Sequence, residues 1–208
     1  MPSGVELGPD GAPRCWWCVG DPLYRAYHDE EWGRPVADDR RLFEKLILEG
    51  FQSGLSWLTI LRKRNNFRAA FKDFDTEAIA RFNRRSIERL MRDAGIVRNR
   101  AKIEATITNA RRYRELVDEW GSLAAYVWSF EPRRRPRRLT HAELLAVTTS
   151  SEAIGLSKDL KRRGWAFVGP TTVHSFMEAM GLVNDHLTGC HVRAVAERER
   201  AAFDPPRR

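Results

Sequence analysis

The chain lacks what a membrane protein or a disulfide scaffold requires. No stretch approaches the roughly 18 consecutive apolar residues of a membrane-spanning helix. The N-terminus carries no apolar signal segment, so a cytoplasmic location is the expectation. Cysteine occurs only three times, as Cys15, Cys18 and Cys190. An odd count in such a chain argues against a disulfide framework. Alternating apolar and polar stretches are scarce, which leaves little room for a sheet. No internal repeat marks a solenoid.

What is present is basic and helical. Lys plus Arg outnumber Asp plus Glu by 36 to 28, a net charge of +8 over 208 residues. That balance suits a polyanion such as nucleic acid, although an Arg-rich solvated surface would give the same count. Residues 1–13, rich in Gly and Pro, are expected to be a disordered lead-in. Residues 14–191 form one domain, and 192–208 read as a charged tail that can form a frayed helix.

Apolar residues recur at helical spacing through the domain. Asp38 or Asp39 can cap a helix carrying Leu42, Phe43, Leu46 and Ile47. Ser56 can open the next, with Leu58 and Leu61. Ile87, Leu90 and Met91 mark a short helix, and Ile103, Ile107, Ala110 and Val117 a long one. Thr149 and Glu152 have capping-box spacing ahead of Leu156 and Leu160, with Gly164 as a stop. Val173, Phe176, Met177 and Met180 share a face that ends at Gly181. The run Arg133 to Arg138 reads as an exposed loop, either solvated or touching DNA.

Three constellations carry chemistry. Cys15 and His28 lie near one end, His186 and Cys190 near the other. Four N and S ligands make a closed tetrahedral zinc site, structural rather than hydrolytic. Cys18, in Cys15-Trp16-Trp17-Cys18, is an alternative ligand or a small core residue. Glu49 falls on the apolar stripe of Leu42 and Leu46, where a carboxylate must be paired or kept for chemistry. Aromatics surround it in sequence: Trp17, Tyr24, Tyr27, Trp32 and Trp57. Such rings stack on a flat base while the carboxylate accepts hydrogen bonds. Finally, Leu90 to Ile103 reads as helix, hairpin, helix. Gly95 permits a turn with positive φ, the second helix offers its N-terminus to a phosphate, and Arg98, Arg100 and Lys102 add charge.

Together these segments resemble the 3-methyladenine DNA glycosylase I family. The resemblance rests on Asp21-Pro22-Leu23-Tyr24 with Tyr27-His28-Asp29-Glu30-Glu31-Trp32-Gly33, and on Leu48-Glu49-Gly50 with Gly54-Leu55-Ser56-Trp57. It extends to Asp93-Ala94-Gly95-Ile96 with Lys102-Ile103, Lys161 to Gly169, and Gly181 to His186. The resemblance implies an all-α, two-lobed helix-hairpin-helix fold with one structural zinc joining the termini. By resemblance, Cys15, His28, His186 and Cys190 are the ligands, and Glu49 and Tyr27 recognise the base. Trp57 is the stacking wall, Trp17, Tyr24 and Trp32 line the pocket, and Leu55 fills the gap left by an extracted base. The implied activity is hydrolysis of the glycosidic bond of 3-methyladenine in double-stranded DNA by a monomer, leaving an abasic site. The competing readings are a non-catalytic zinc DNA-binding module, a zinc hydrolase of small substrates, and a glycosylase with added lyase activity.

Overall fold

The computed structural model describes residues 1–133 and 139–208. The expected Arg-rich loop therefore lies, apart from Arg133, outside the described residues. The chain is predominantly helical, as expected: α1 (Pro22–Glu30), α2 (Asp39–Gln52), α3 (Trp57–Ala70), α4 (Thr76–Ala80), α5 (Arg84–Arg92), α6 (Arg100–Trp120), α7 (Leu123–Trp128), α8 (His141–Ala146), α9 (Ser151–Arg162), α10 (Pro170–Ala179) and α11 (Arg193–Ala202).

The site-bearing helix is α2. It packs against α3, α6, α7 and α10, and Leu42, Phe43, Leu46, Ile47, Leu48 and Phe51 are all buried. Its start divides two tasks between neighbouring acids. Asp38 caps α2 by accepting from the Arg41 amide at 2.8 Å. Asp39 instead accepts from Tyr113 Oη and from the Leu123 and Ala124 amides at the start of α7. Ser56 caps α3 through the Thr59 amide, as the sequence indicates.

Three local readings are corrected. Residues 1–13 are not a disordered lead-in: β1 (Val5–Leu7) pairs antiparallel with β2 (Pro13–Cys15), Val5 facing Cys15. Gly8-Pro9-Asp10-Gly11 is the turn, closed by the Gly8 amide on Ala12 O at 2.9 Å, with Gly11 at φ +75°. The Gly and Pro content thus signalled a turn. The capping residue of α9 is Ser150, which accepts from the Ala153 amide, and not Thr149. The charged tail is the packed helix α11: Ala196 is buried, Arg200 pairs with Glu131, and Phe203 lies 4.7 Å from the Trp128 ring. One face of α11 buries alanine while its charges pair outward, so alternating charge there reflects amphipathicity.

A large apolar cluster runs from Tyr27 to Leu182. A smaller one joins Val5 and Cys15 to Leu139, Leu187, Cys190 and Val192, stapling the two ends of the chain.

Candidate active site

Glu49 sits on the last full turn of α2 and is only 4% exposed. Its Oε1 is 3.0 Å from Lys45 Nζ, one helical turn earlier. Its Oε2 is buried and has no hydrogen-bond partner. A free, desolvated acceptor is costly unless a ligand completes it. Burial raises the Glu49 carboxyl above the usual carboxylate range, and the Lys45 ammonium works against that rise. Burial in turn lowers Lys45 to about 8, opposed by the charge of Glu49.

Beside Glu49 lies a cavity of about 240 Å³, lined among others by Trp17, Tyr24, Tyr27, Trp32, Gln52 and Trp57. All five sequence-predicted aromatics therefore meet around the carboxylate. The Tyr27 and Trp57 rings lie 5.5 Å apart at 45°. Trp17 contacts Tyr24 at 4.7 Å and Trp32 at 5.1 Å. Trp57 stands at the first position of α3, placed there by the Ser56 cap. Leu55, on the tight turn at Gly54 (φ +82°), is 42% exposed at the end of the same segment. An exposed leucine on a rigid turn beside a pocket is apolar surface without an internal partner.

The sequence reading missed Lys45 and Glu178. Lys45 is buried and its i, i+4 spacing to Glu49 was the available signal. Glu178, on α10, also lines the cavity. Burial and the charge of Asp185 hold the Glu178 carboxyl well above the usual range. Its Oε1 is 3.8 Å from His174 Nε2, and Asp185 Oδ2 stands at the same distance.

The metal constellation forms in part. Ligand atoms of Cys15, His28 and Cys190 lie within 4.8 Å of one another, all buried. His186 falls outside that group, its ring centroid 4.9 Å from that of His28. Both imidazoles nevertheless engage a side-chain oxygen through Nδ1. His28 Nδ1 is 2.7 Å from Asp29 Oδ1, leaving Nε2 directed to Cys190 Sγ at 3.5 Å. His186 Nδ1 is 2.8 Å from Asn184 Oδ1, leaving a buried Nε2 without a partner. Two thiols, an imidazole and a second imidazole with an orphaned buried nitrogen fit a soft divalent cation. Cys18 is not in the group; its thiol donates to the Cys15 carbonyl at 3.1 Å. Trp32 joins the two sites, packing 4.5 Å from the His186 ring while lining the cavity.

The segment between α5 and α6 forms a short turn. Gly95 is present there, but not for a positive φ. A side chain at that position would meet Asp93 Oδ1 at 2.9 Å and Asn66 at 3.1 Å, so the glycine serves close approach. Arg98 is exposed. Arg100 is 46% exposed in its side chain and pairs with Glu88 at 2.8 Å. Lys102 is corrected: it is buried, and its Nζ donates to Phe51 O at 2.8 Å and Ser53 O at 2.6 Å. It satisfies the carbonyls at the C-terminus of α2 and is not available to a phosphate.

The family model for methyladenine glycosylase matches residues 17–194. The chain is 49% identical over 178 residues to DNA-3-methyladenine glycosylase 1 of Escherichia coli (strain K12), covering 85% of this chain and 95% of that one. A crystal structure of 3-methyladenine DNA glycosylase I superposes with a TM-score of 0.80 at 47% identity, over 86% and 98% of the two chains. A tyrosine-to-phenylalanine variant of 3-methyladenine DNA glycosylase I, solved in complex with 3-methyladenine, gives 0.80 at 39% identity, over 85% and 95%. With sequence and fold matching over one continuous span that holds Glu49 and its aromatic walls, the chain belongs to the methyladenine glycosylase family.

Proposed function

We propose that the protein is a DNA-repair glycosylase that releases 3-methyladenine from double-stranded DNA by hydrolysing its glycosidic bond, leaving an abasic site. The observation that carries this reading is the unpartnered, buried Glu49 Oε2 in an aromatic cavity. Adenine methylated at N3 is cationic, so its glycosidic bond is already weakened and the leaving group needs little protonation. The protein's task is to extrude the nucleotide, hold the base and favour positive charge in the transition state. Glu49 accepts from the amino edge of the base, Tyr27 adds a polar contact, and Trp57 provides a stacking face. Leu55 fills the space that the base vacates. Among the described residues no lysine lines the cavity: Lys45 stands behind its wall, committed to Glu49 and Tyr27.

DNA would be gripped by the helix–turn–helix of α5 and α6, acting as a helix-hairpin-helix anchor. Exposed Arg98 and the α6 N-terminus bind phosphate without reading sequence. Cys15, His28, His186 and Cys190 would hold one zinc ion, which would supply cross-linking of the chain ends and no reaction chemistry. A single lesion needs a single copy, so the protein acts as a DNA-associated cytoplasmic monomer. A non-catalytic DNA-binding module needs no such cavity. Incubation with methylated DNA, followed by identification of the freed bases and of the strand product, tests the proposal. Release of 3-methyladenine with an intact abasic strand is expected. A strand cut through a borohydride-trappable adduct, or no base released, would overturn it.

A further inference from the structure

Lys45 is a puzzle for a pocket that receives a cationic base: a buried ammonium 3.0 Å from the carboxylate meant to receive it. Its environment accounts for it. An ammonium has three donors and no acceptor. Around Nζ stand three acceptors: Glu49 Oε1 at 3.0 Å, Tyr27 Oη at 2.5 Å, and the face of Trp57 with its centroid at 3.3 Å. Every donor is used, and all three acceptors belong to residues that line the cavity.

We infer that Lys45 is a specificity-determining positioning residue, which fixes the hydrogen-bond polarity of the Glu49–Tyr27 corner by occupying Glu49 Oε1 and the Tyr27 hydroxyl oxygen from behind. This rests on the reading of the cavity as a base pocket. Because Lys45 can only donate, Tyr27 Oη accepts from it, and the hydroxyl hydrogen is left to donate elsewhere. Because Lys45 holds Glu49 Oε1, the free Oε2 remains an acceptor. The corner therefore offers one acceptor beside one donor. Adenine carries the complement, an amino donor beside a ring-nitrogen acceptor, whereas guanine presents two acceptors, O6 and N7, on the corresponding edge. A methylated guanine would set O6 against Glu49 Oε2 with no proton between them, a buried acceptor pair of the most costly kind.

Without Lys45 this polarity is no longer imposed. The Tyr27 hydroxyl could turn to donate to Glu49, and burial would raise Glu49 unopposed. A protonated Glu49 could then donate to O6. The groups facing the pair are Tyr24 and Tyr27 from α1, Glu31 just after it, Arg64 from α3 and Glu178 from α10. They remain in place in the variants. As pH falls through the Glu49 value the acceptor is lost; as pH rises past about 8 Lys45 loses its charge and gains a lone pair, so its donor-only polarity goes.

The test compares the single-turnover release of 3-methyladenine and 3-methylguanine from methylated DNA, across pH, by wild type, Lys45→Met and Lys45→Arg. Lys45→Met is expected to lower the preference for 3-methyladenine by about tenfold, the worth of one correct pairing. It should also move the acidic limb of the rate profile to higher pH. Lys45→Arg should keep the preference and push the alkaline limb upward. A folded Lys45→Met with unchanged preference and an unmoved acidic limb would overturn the inference. If that variant does not fold, an alkaline limb unmoved in Lys45→Arg overturns it instead. If wild type releases neither base, the function fails first; equal affinity for free 3-methyladenine and 3-methylguanine, read by tryptophan fluorescence, would then overturn the polarity as well.

Discussion

At the scale of single residues, burial separates charges that the sequence writes alike. Glu49 and Glu44 lie on the same helix, but Glu44 is tied to Arg68 at 2.9 Å, while Glu49 retains a free oxygen on the cavity. Glu49→Gln should therefore preserve the fold and slow base release by about two orders of magnitude or more, the cost typical of losing one charge-stabilising group. An unchanged single-turnover rate would remove Glu49 from the mechanism. Lys102 makes the opposite point. Lys102→Met leaves Phe51 O and Ser53 O without their donor, which should cost about 1–3 kcal/mol of stability. Denaturant titration would register that loss, and the salt dependence of DNA binding should stay as in wild type. Glu49 was legible because an acid interrupted an apolar stripe. Lys102 was not, because a basic residue beside Arg98 and Arg100 reads as surface until its partners, some fifty residues away in sequence, are known.

At the scale of elements, the α5–α6 turn divides into a rigid base and an exposed rim. Gly95 packs against Asn66, and Lys63 donates to Ala94 O at 3.0 Å, so the turn is braced by α3. Arg98 stands on the rim with no ion pair among the described residues. Arg98→Ala should weaken binding to any DNA sequence and reduce the slope of log affinity against log salt by about 1. A loss confined to damaged DNA would instead place Arg98 at the lesion. Helix periodicity made α2, α3, α5, α6 and α10 readable in advance. The β1–β2 hairpin, and the packing of the tail helix α11, were missed because their short apolar contributions, Val5 and Ala196, are buried by distant parts of the chain. Local composition carries no trace of such partners.

At the scale of the whole molecule, the two ends of the chain meet behind one wall of the pocket. Cys15 and His28 meet Cys190, and Trp32 lies between that cluster and the cavity. Cys190→Ser, or a strong chelator on wild type, should therefore lower Tm by more than about 5 °C, as a loss of 2 kcal/mol or so does in a chain of this size. Elemental analysis without stoichiometric zinc, or melting identical to untreated protein, would count against the ion. The cluster was visible in the sequence as paired Cys and His residues. The choice of Cys15 over Cys18 was not, because it depends on which thiol turns toward the Cys15 carbonyl.

The joining of the ends also bears on how the protein is made. Val5, Cys15 and Trp17 are synthesised well before Leu187, Cys190 and Val192, which complete the cluster that seats them. Between those two points of synthesis, Trp17 lacks part of the apolar surface it packs on in the finished fold. The nascent polypeptide therefore cannot hold Trp17 in its final place in the cavity wall until Val192 has been added.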